Sequence, residues 1–371
     1  MINITADHEG GCLDRAIRCG ENFYALELRP DTWYYFNFKI TGCKDKEIIF
    51  QFTCRDLDPG PRAISTPQDQ GRDRWNYGDW IVEPSISYDN GKTWERTKGI
   101  FKKNGVRGTY CFKHTFKEDC AIVSHAPTYT YTDLCNYLKK FEDIPFVKMG
   151  SIGKTRVGVD TPRLTITKNP DSRETIVIIS REDADEMTGS FAAEGYLDYL
   201  VSGAEEVEEA LHKYIFEIIP MVGIDGVIAG CTHSAGYGYG GQWWHYEEEA
   251  PQEIKNVKNF IRDLAKSGQT FPLTGKIHGY GHFSFPNSDY ITNNKEFFDA
   301  LDKNASGWIV DPPNKYQMAS SIGIREKGLY ERFMMDEFDP KHIFCCHIGG
   351  LDQDGSRAAG KGLMQNILEL L

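Results

Sequence analysis

The 371-residue chain is 40% hydrophobic and 26% charged, the composition of a soluble globular protein, and its length suits two hydrophobic cores better than one. Its 42 basic against 54 acidic residues leave a formal charge of −12, which argues against a nucleic-acid surface with its clustered Lys and Arg. No apolar run approaches the roughly 20 residues that cross a bilayer, and Met1-Ile2-Asn3-Ile4-Thr5 lacks the basic and hydrophobic regions of a signal peptide, so a cytoplasmic protein without membrane or nucleic-acid partners is expected.

Residues 1–122 read as β structure. Phe36, Phe38 and Ile40 recur at every second position, as do Ile48, Phe50, Phe52 and Cys54 and later Tyr110, Phe112, His114 and Phe116, the period of half-buried strands. Gly, Pro and Asp clusters break these strands, which suggests a small antiparallel sandwich. Ser87-Tyr88-Asp89-Asn90-Gly91-Lys92-Thr93-Trp94 carries an Asn-Gly pair suited to a type I′ turn. The same octapeptide fits the Asp-box of sialidase propellers, but a single copy without a repeat period favours an isolated hairpin.

Residues 123–371 alternate strand and helix. Glu174-Thr175-Ile176-Val177-Ile178-Ile179-Ser180 is a continuous apolar run of the buried, parallel-sheet kind, and Ala192, Tyr196 and Leu200 then fall on one helical stripe. Tyr214–Pro220 repeats the strand signal and Ile343-Phe344-Cys345-Cys346 is a late strand. This is an α/β sheet with ligand chemistry expected at the carboxyl ends of strands, where Asp183, His278 and His347 fall. Cysteines such as Cys54, Cys111, Cys135, Cys345 and Cys346 lie inside these elements without metal-type spacing, which predicts buried free thiols.

The richest segments are Ser180-Arg181-Glu182-Asp183-Ala184-Asp185-Glu186-Met187-Thr188-Gly189-Ser190-Phe191 and, on a later strand, Lys276-Ile277-His278-Gly279. By residue type alone, Glu182, Asp183, Asp185 and Glu186 also suit a helix amino terminus, where acids favour the macrodipole. The first segment resembles the Arg-x-His-Pro-Gly-Glu strand end of zinc carboxypeptidases of the cytosolic-carboxypeptidase type, followed by their Gly-Ser-Phe helix start. Trp33–Ile40, Ala126–Leu134 and Pro220-Met221-Val222-Gly223-Ile224-Asp225-Gly226-Val227 resemble further segments of that family in the same order. The resemblance implies an amino-terminal antiparallel β-sandwich followed by a carboxypeptidase-like α/β domain with a central mixed sheet flanked by helices, divided here at 1–122 and 123–371.

It also implies a metal site. Arg181 and Glu186 stand where the family has its Arg and metal-binding Glu, Asp183 occupies the place of the metal-binding His, and His278 matches the third ligand. Two carboxylates and an imidazole can hold zinc or another divalent ion, and donor atoms more than about 8 Å apart would defeat the assignment. Asp in place of a neutral His adds negative charge and weakens the Lewis acidity of the ion.

The substrate side departs further. Counting from Gly230, Cys231-Thr232-His233 replaces Asn-Tyr-Arg and Gln242-Trp243 replaces Asn-Arg, so both family guanidinium positions that grip a terminal carboxylate are lost. Between them runs a Gly-jointed loop whose His233, Tyr237, Tyr239, Gln242, Trp243 and Trp244 can present flat faces and polar tips to a ligand, or simply pack the loop down. The family's catalytic Glu on the last strand has no counterpart in His342–Gly350. His347 or His282 is then the proton carrier unless it is a hydrogen-bonded structural residue, with Arg181 or His233 stabilising developing negative charge. The expected function is metal-dependent hydrolysis of an amide or related bond that is not conventional C-terminal carboxypeptidase chemistry, acting on a peptide or small molecule. A glycan-directed enzyme using the aromatic loop and an inactive ligand-binding protein are the alternatives.

Overall fold

The structure is a computed structural model, describing residues 1–29, 32, 35–54, 83–104, 107–232, 243–279, 290–292, 316–318, 329–348 and 352–371. Two compact units are present: Met1–Thr128 with Ile228–Thr232, and Tyr129–Val227 with His233–Leu371.

The first unit contains Asn3–Thr5 (β1), Arg15–Arg18 (β2), Phe23–Glu27 (β3), Asn37–Thr41 (β4), Glu47–Cys54 (β5), Ser85–Ser87 (β6), Glu95–Arg96 (β7), Gly99–Asn104 (β8), Arg107–Thr115 (β9) and Cys120–Ser124 (β10). They form two five-stranded sheets, β1-β4-β10-β6-β7 and β2-β3-β5-β9-β8. Alternation turns Phe38, Ile40, Phe50, Phe52, Tyr110 and Phe112 inward to a common core, where Phe36 stacks on Phe52 and Phe50 on Phe112 at centroid distances of 4.6 and 4.9 Å. One pairing differs from the expected antiparallel pattern: β3 runs parallel to β5.

The hairpin between β6 and β7 is organised by Asp89. Its carboxylate accepts the Thr93 N–H at 2.9 Å, the Thr93 hydroxyl at 2.6 Å and the Ser87 hydroxyl at 2.9 Å, and these donors, Thr93 first, hold its pKa down at about 2. Asn90 and Gly91 have φ of 59° and 88°, the positive values a type I′ turn needs, and the Trp94 indole N–H closes the loop on the Gly91 carbonyl.

The second unit contains Tyr131–Leu138 (α1), Val147–Lys154 (β11), Asp160–Ile166 (β12), Glu174–Ser180 (β13), Met187–Leu200 (α2), Glu205–Lys213 (α3), Ile215–Ile219 (β14), Gln252–Lys266 (α4), Thr270–Gly279 (β15), Tyr290–Thr292 (β16), Tyr316–Met318 (β17), Tyr330–Phe338 (α5), His342–Ile348 (β18) and Gln353–Leu370 (α6). The strands make an eight-stranded mixed sheet, β11-β12-β14-β13-β15-β18-β16-β17, whose centre, β14-β13-β15-β18, is parallel. Its central strands are buried on both faces, which is why Ile176–Ile179 of β13 reads as a continuous apolar run, while β14 and β15 carry the buried charges Glu217 and Lys276.

Helix α2 is buried almost all round because its backbone touches that of α6. A Cβ on Gly195 would lie 1.9 Å from the Arg357 carbonyl oxygen, and one on Gly360 would lie 2.0 Å from that of Ala192. Gly360→Val is therefore expected to destabilise the fold by about 3 kcal/mol through forced separation of the helices. Urea unfolding measures this, and a change within 0.5 kcal/mol, about the scale of an ordinary surface substitution, would refute the close contact.

Two buried carboxyls in this unit make stability depend on pH. Glu217 on β14 accepts the Thr165 hydroxyl and stands 3.7 Å from the Arg163 guanidinium, yet burial outweighs both and raises its pKa from 4.5 to about 7. Burial, with Asp225 nearby, lifts Glu253 equally. The folded state then holds protons that the unfolded chain has released, so the contribution is complete below the ordinary value of 4.5 and is lost as pH rises through about 7. Relative to Glu217→Gln, the parent protein should lose on the order of 2 kcal/mol between pH 4.5 and pH 7.5. Urea titrations of both proteins at the two pH values test it, and an unchanged difference would show that Glu217 is ionised throughout.

Candidate metal centre

The centre forms where β13 and β15 end side by side. At the end of β13 the chain turns through Arg181, whose φ of 54° places a bulky residue in the left-handed region, a strained conformation held by its surroundings. The Arg181 guanidinium is buried and donates from Nε and Nη2 to the Ala184 carbonyl at 3.0 and 2.5 Å and from Nη1 to the Ser190 hydroxyl at 2.8 Å. Arg181 thus clasps the loop between β13 and α2 across itself.

That loop delivers two acids to one point. Asp183, Glu186 and His278 are all buried and offer donor atoms that lie within 4.8 Å of one another. Glu186 Oε2 is 2.7 Å from His278 Nδ1 and accepts the Gly279 backbone N–H at 3.1 Å. This second contact requires glycine. A Cβ at 279 would lie 2.2 Å from the Gly189 nitrogen and 2.4 Å from the Thr188 hydroxyl, so only Gly lets the end of β15 approach the start of α2. Thr188 ties the same helix start to β18 through the Ile348 carbonyl at 2.5 Å.

Glu186 is the residue before α2, but its carboxylate makes no capping bond to the helix. Its bonds run to His278 and Gly279, so the macrodipole does not explain why acids cluster here. Burial and the neighbouring Asp183 push the Glu186 carboxyl well above the usual range. Burial and the Lys276 ammonium lower the His278 imidazole, keeping the ring neutral and its lone pair available. The donor set of two carboxylates and one imidazole fits a divalent ion such as zinc, whose bonds to O and N are about 2.0–2.2 Å long.

Beneath this group lies a charged layer that residue patterns did not disclose. Glu182 is buried, with Oε1 accepting the Trp244 indole N–H and Oε2 accepting Lys276 Nζ at 3.0 Å. Lys276 also stands 3.3 Å from Glu331 Oε1, and Glu182 Oε2 lies 3.7 Å from His278 Nε2. Burial opposes ionisation of Glu182, but the Lys276 ammonium, together with the hydrogen bonds from Trp244 and Lys276, outweighs it and draws its pKa below the ordinary value.

Comparison with known proteins gives the following similarities. The zinc carboxypeptidase family model matches residues 134–245, which include Asp183 and Glu186. Cytosolic carboxypeptidase 3 of Bos taurus is 25% identical over 301 residues, and cytosolic carboxypeptidase 2 of Homo sapiens is 27% identical over 252. The chain is similar to zinc carboxypeptidases, those of the cytosolic type among them. These matches cover 74% and 60% of the chain but only 29% and 26% of those relatives, so the chain spans under a third of their length. A metallo-carboxypeptidase from Burkholderia cenocepacia shares the fold with a TM-score of 0.78 at 16% identity, over 100% of this chain and 98% of that one. The fold and the relatives are those of metal-dependent, peptidase-type hydrolases.

Other residues expected in the carboxypeptidase site are placed as follows. His347 lies on β18 in register with His278, and its side chain is outside the described residues. His282, His233, Tyr237, Tyr239 and Gln242 also fall outside them. Trp243 is partly buried against the core formed by α4 and α5. Trp244 requires a correction: it is 1% exposed, packs on Tyr330 and Phe333 at 4.9 and 5.6 Å, and gives its N–H to Glu182, so it has no face to offer a ligand. Lys258 on α4 fixes this segment by donating to the Trp244 and Tyr246 carbonyls at 3.0 and 2.8 Å. Among the described residues, no helix is long and apolar enough to cross a membrane.

Proposed function

We propose that the chain is a metal-dependent hydrolase of an amide or related bond, with its ion held by Asp183, Glu186 and His278, and that it is not a conventional C-terminal carboxypeptidase. The convergence of those three buried donors carries the reading. A divalent ion supplies Lewis-acid polarisation of a carbonyl and a lowered pKa for water. The chain's own residues do the rest. Asp183 and Glu186 would hold the ion with carboxylates from a loop that Arg181 clasps, and His278 with its imidazole. Proton transfer would fall to His347 or His282 and stabilisation of developing negative charge to His233, since the buried Arg181 guanidinium is committed to the Ala184 carbonyl and the Ser190 hydroxyl.

The unconventional specificity rests on His233 and Trp243 standing at the two family guanidinium positions, since neither reproduces a bidentate clamp. A peptide or peptide-like substrate in the cytosol is the setting that the cytosolic relatives favour. The glycan-directed alternative is weaker with Trp244 in the core.

Peptides with free and with amidated C-termini are expected to be cleaved alike, and hydrolysis is expected to stop with a chelator and return with zinc. Metal analysis of untagged protein accompanies the assay. A strong preference for the free carboxylate would show that another cation has taken over the clamp, and full activity without metal would remove the metal-dependent reading.

A further inference from the structure

Lys276, Glu182 and Glu331 form a buried charge cluster for which metal coordination has no use. The side chains are 2%, 0% and 0% exposed. Such a cluster is weak evidence for stability, because apolar groups of similar volume do as well or better in a core. Its geometry relative to the centre is specific, however. Lys276 and His278 are two apart on β15 and so project from the same face of the strand, with Glu182 Oε2 between them at 3.0 Å from Lys276 Nζ and 3.7 Å from His278 Nε2. Glu331 meets Lys276 on its other side.

We propose that Glu182 is a positioning residue for His278: its carboxylate stands 3.7 Å from Nε2, longer than a hydrogen bond but close enough for its charge to favour the Nε2–H tautomer, which leaves Nδ1 to the ion. The inference rests on the metal-binding reading above. An imidazole has one lone pair to give, and which nitrogen gives it is decided by the partner of the other. Here Nδ1 is the nitrogen beside Glu186 and Nε2 the one beside Glu182. The Glu182 carboxylate cannot swing away, because Trp244 holds one oxygen and Lys276 the other. Lys276 acts on the centre through Glu182, as the fixed cation that makes a buried carboxylate tolerable at that spot.

The cluster supplies its own control. Glu182→Gln leaves Lys276 paired with Glu331, and Glu331→Gln leaves it paired with Glu182, so each variant retains one buried ion pair. Only the first changes the group beside His278. Zinc affinity, read by competition with a chromophoric chelator, is expected to fall about 10–100-fold in Glu182→Gln and to stay near the parent value in Glu331→Gln. Equal losses in both variants, or none in either, would overturn the assignment. The ring 15N shifts of His278 in the zinc-loaded parent protein test it without any substitution: a protonated Nε2 and a zinc-bound Nδ1 are expected, and zinc on Nε2 would refute it. If the parent protein binds no zinc, the metal reading fails first and this inference with it. Zinc binding with Glu182→Gln at parent affinity removes this inference alone.

Discussion

Lys276→Met is expected to destabilise the second unit by about 3–5 kcal/mol, the cost of leaving buried carboxylates without their cation. Glu182 and Glu331 both have fully buried side chains and share that one ammonium. Burial alone depresses a lysine, but here the two carboxylates outweigh it and hold Lys276 well above its ordinary value, so it is charged at any pH where the fold is studied. Met matches the volume and removes the charge, which separates electrostatics from packing. Urea unfolding at pH 7 gives the number. A loss under about 1 kcal/mol, the scale of an exposed pair, would mean that the cluster relaxes or admits water.

The second large effect concerns the ion. Zinc at about 100 times its dissociation constant is expected to stabilise the parent protein by about 2.7 kcal/mol, and to do nothing for Asp183→Ala, Glu186→Ala or His278→Ala. Glu186→Gln should separate function from stability. Burial and Asp183 make the charged form of Glu186 unfavourable in the metal-free fold, so a neutral amide there should leave metal-free stability unchanged or raise it while abolishing the response to zinc. Thermal unfolding with zinc and with chelator distinguishes these outcomes. An undiminished zinc response in all three alanine variants would place the ion elsewhere.

The fold was legible wherever burial imposes a period. Phe36-x-Phe38-x-Ile40 and the run from Ile176 to Ile179 announce a one-sided and a two-sided strand, and both are found. The direction of β3 against β5 was not legible, because alternation is the same in parallel and antiparallel pairs. At the centre, Asp183, Glu186 and His278 were visible through a motif frame. Glu182 was visible only as an acid near a helix start, since no local pattern says that its side chain turns inward to a lysine 94 positions away. A signal did exist: Lys276 is a full charge two positions before His278 in a strand buried on both faces, and such a charge demands a partner. Trp244 misled because an aromatic in a glycine-rich segment reads equally as a platform or as packing. Its neighbours on α5 decide the matter, and they lie far along the chain.

Glu186 and His278 are 92 residues apart in sequence, and they meet only where β13 and β15 have paired. An ion seated between them would act as a cross-link that closes a loop of that length, much as a disulfide would. It cannot form early, because its ligands do not exist as a set until the central parallel strands are in register, and such non-local pairing is slow. Uptake of the ion during refolding would therefore serve as a clock for completion of the sheet, and its release as the step that any unfolding route through these two strands has to cross.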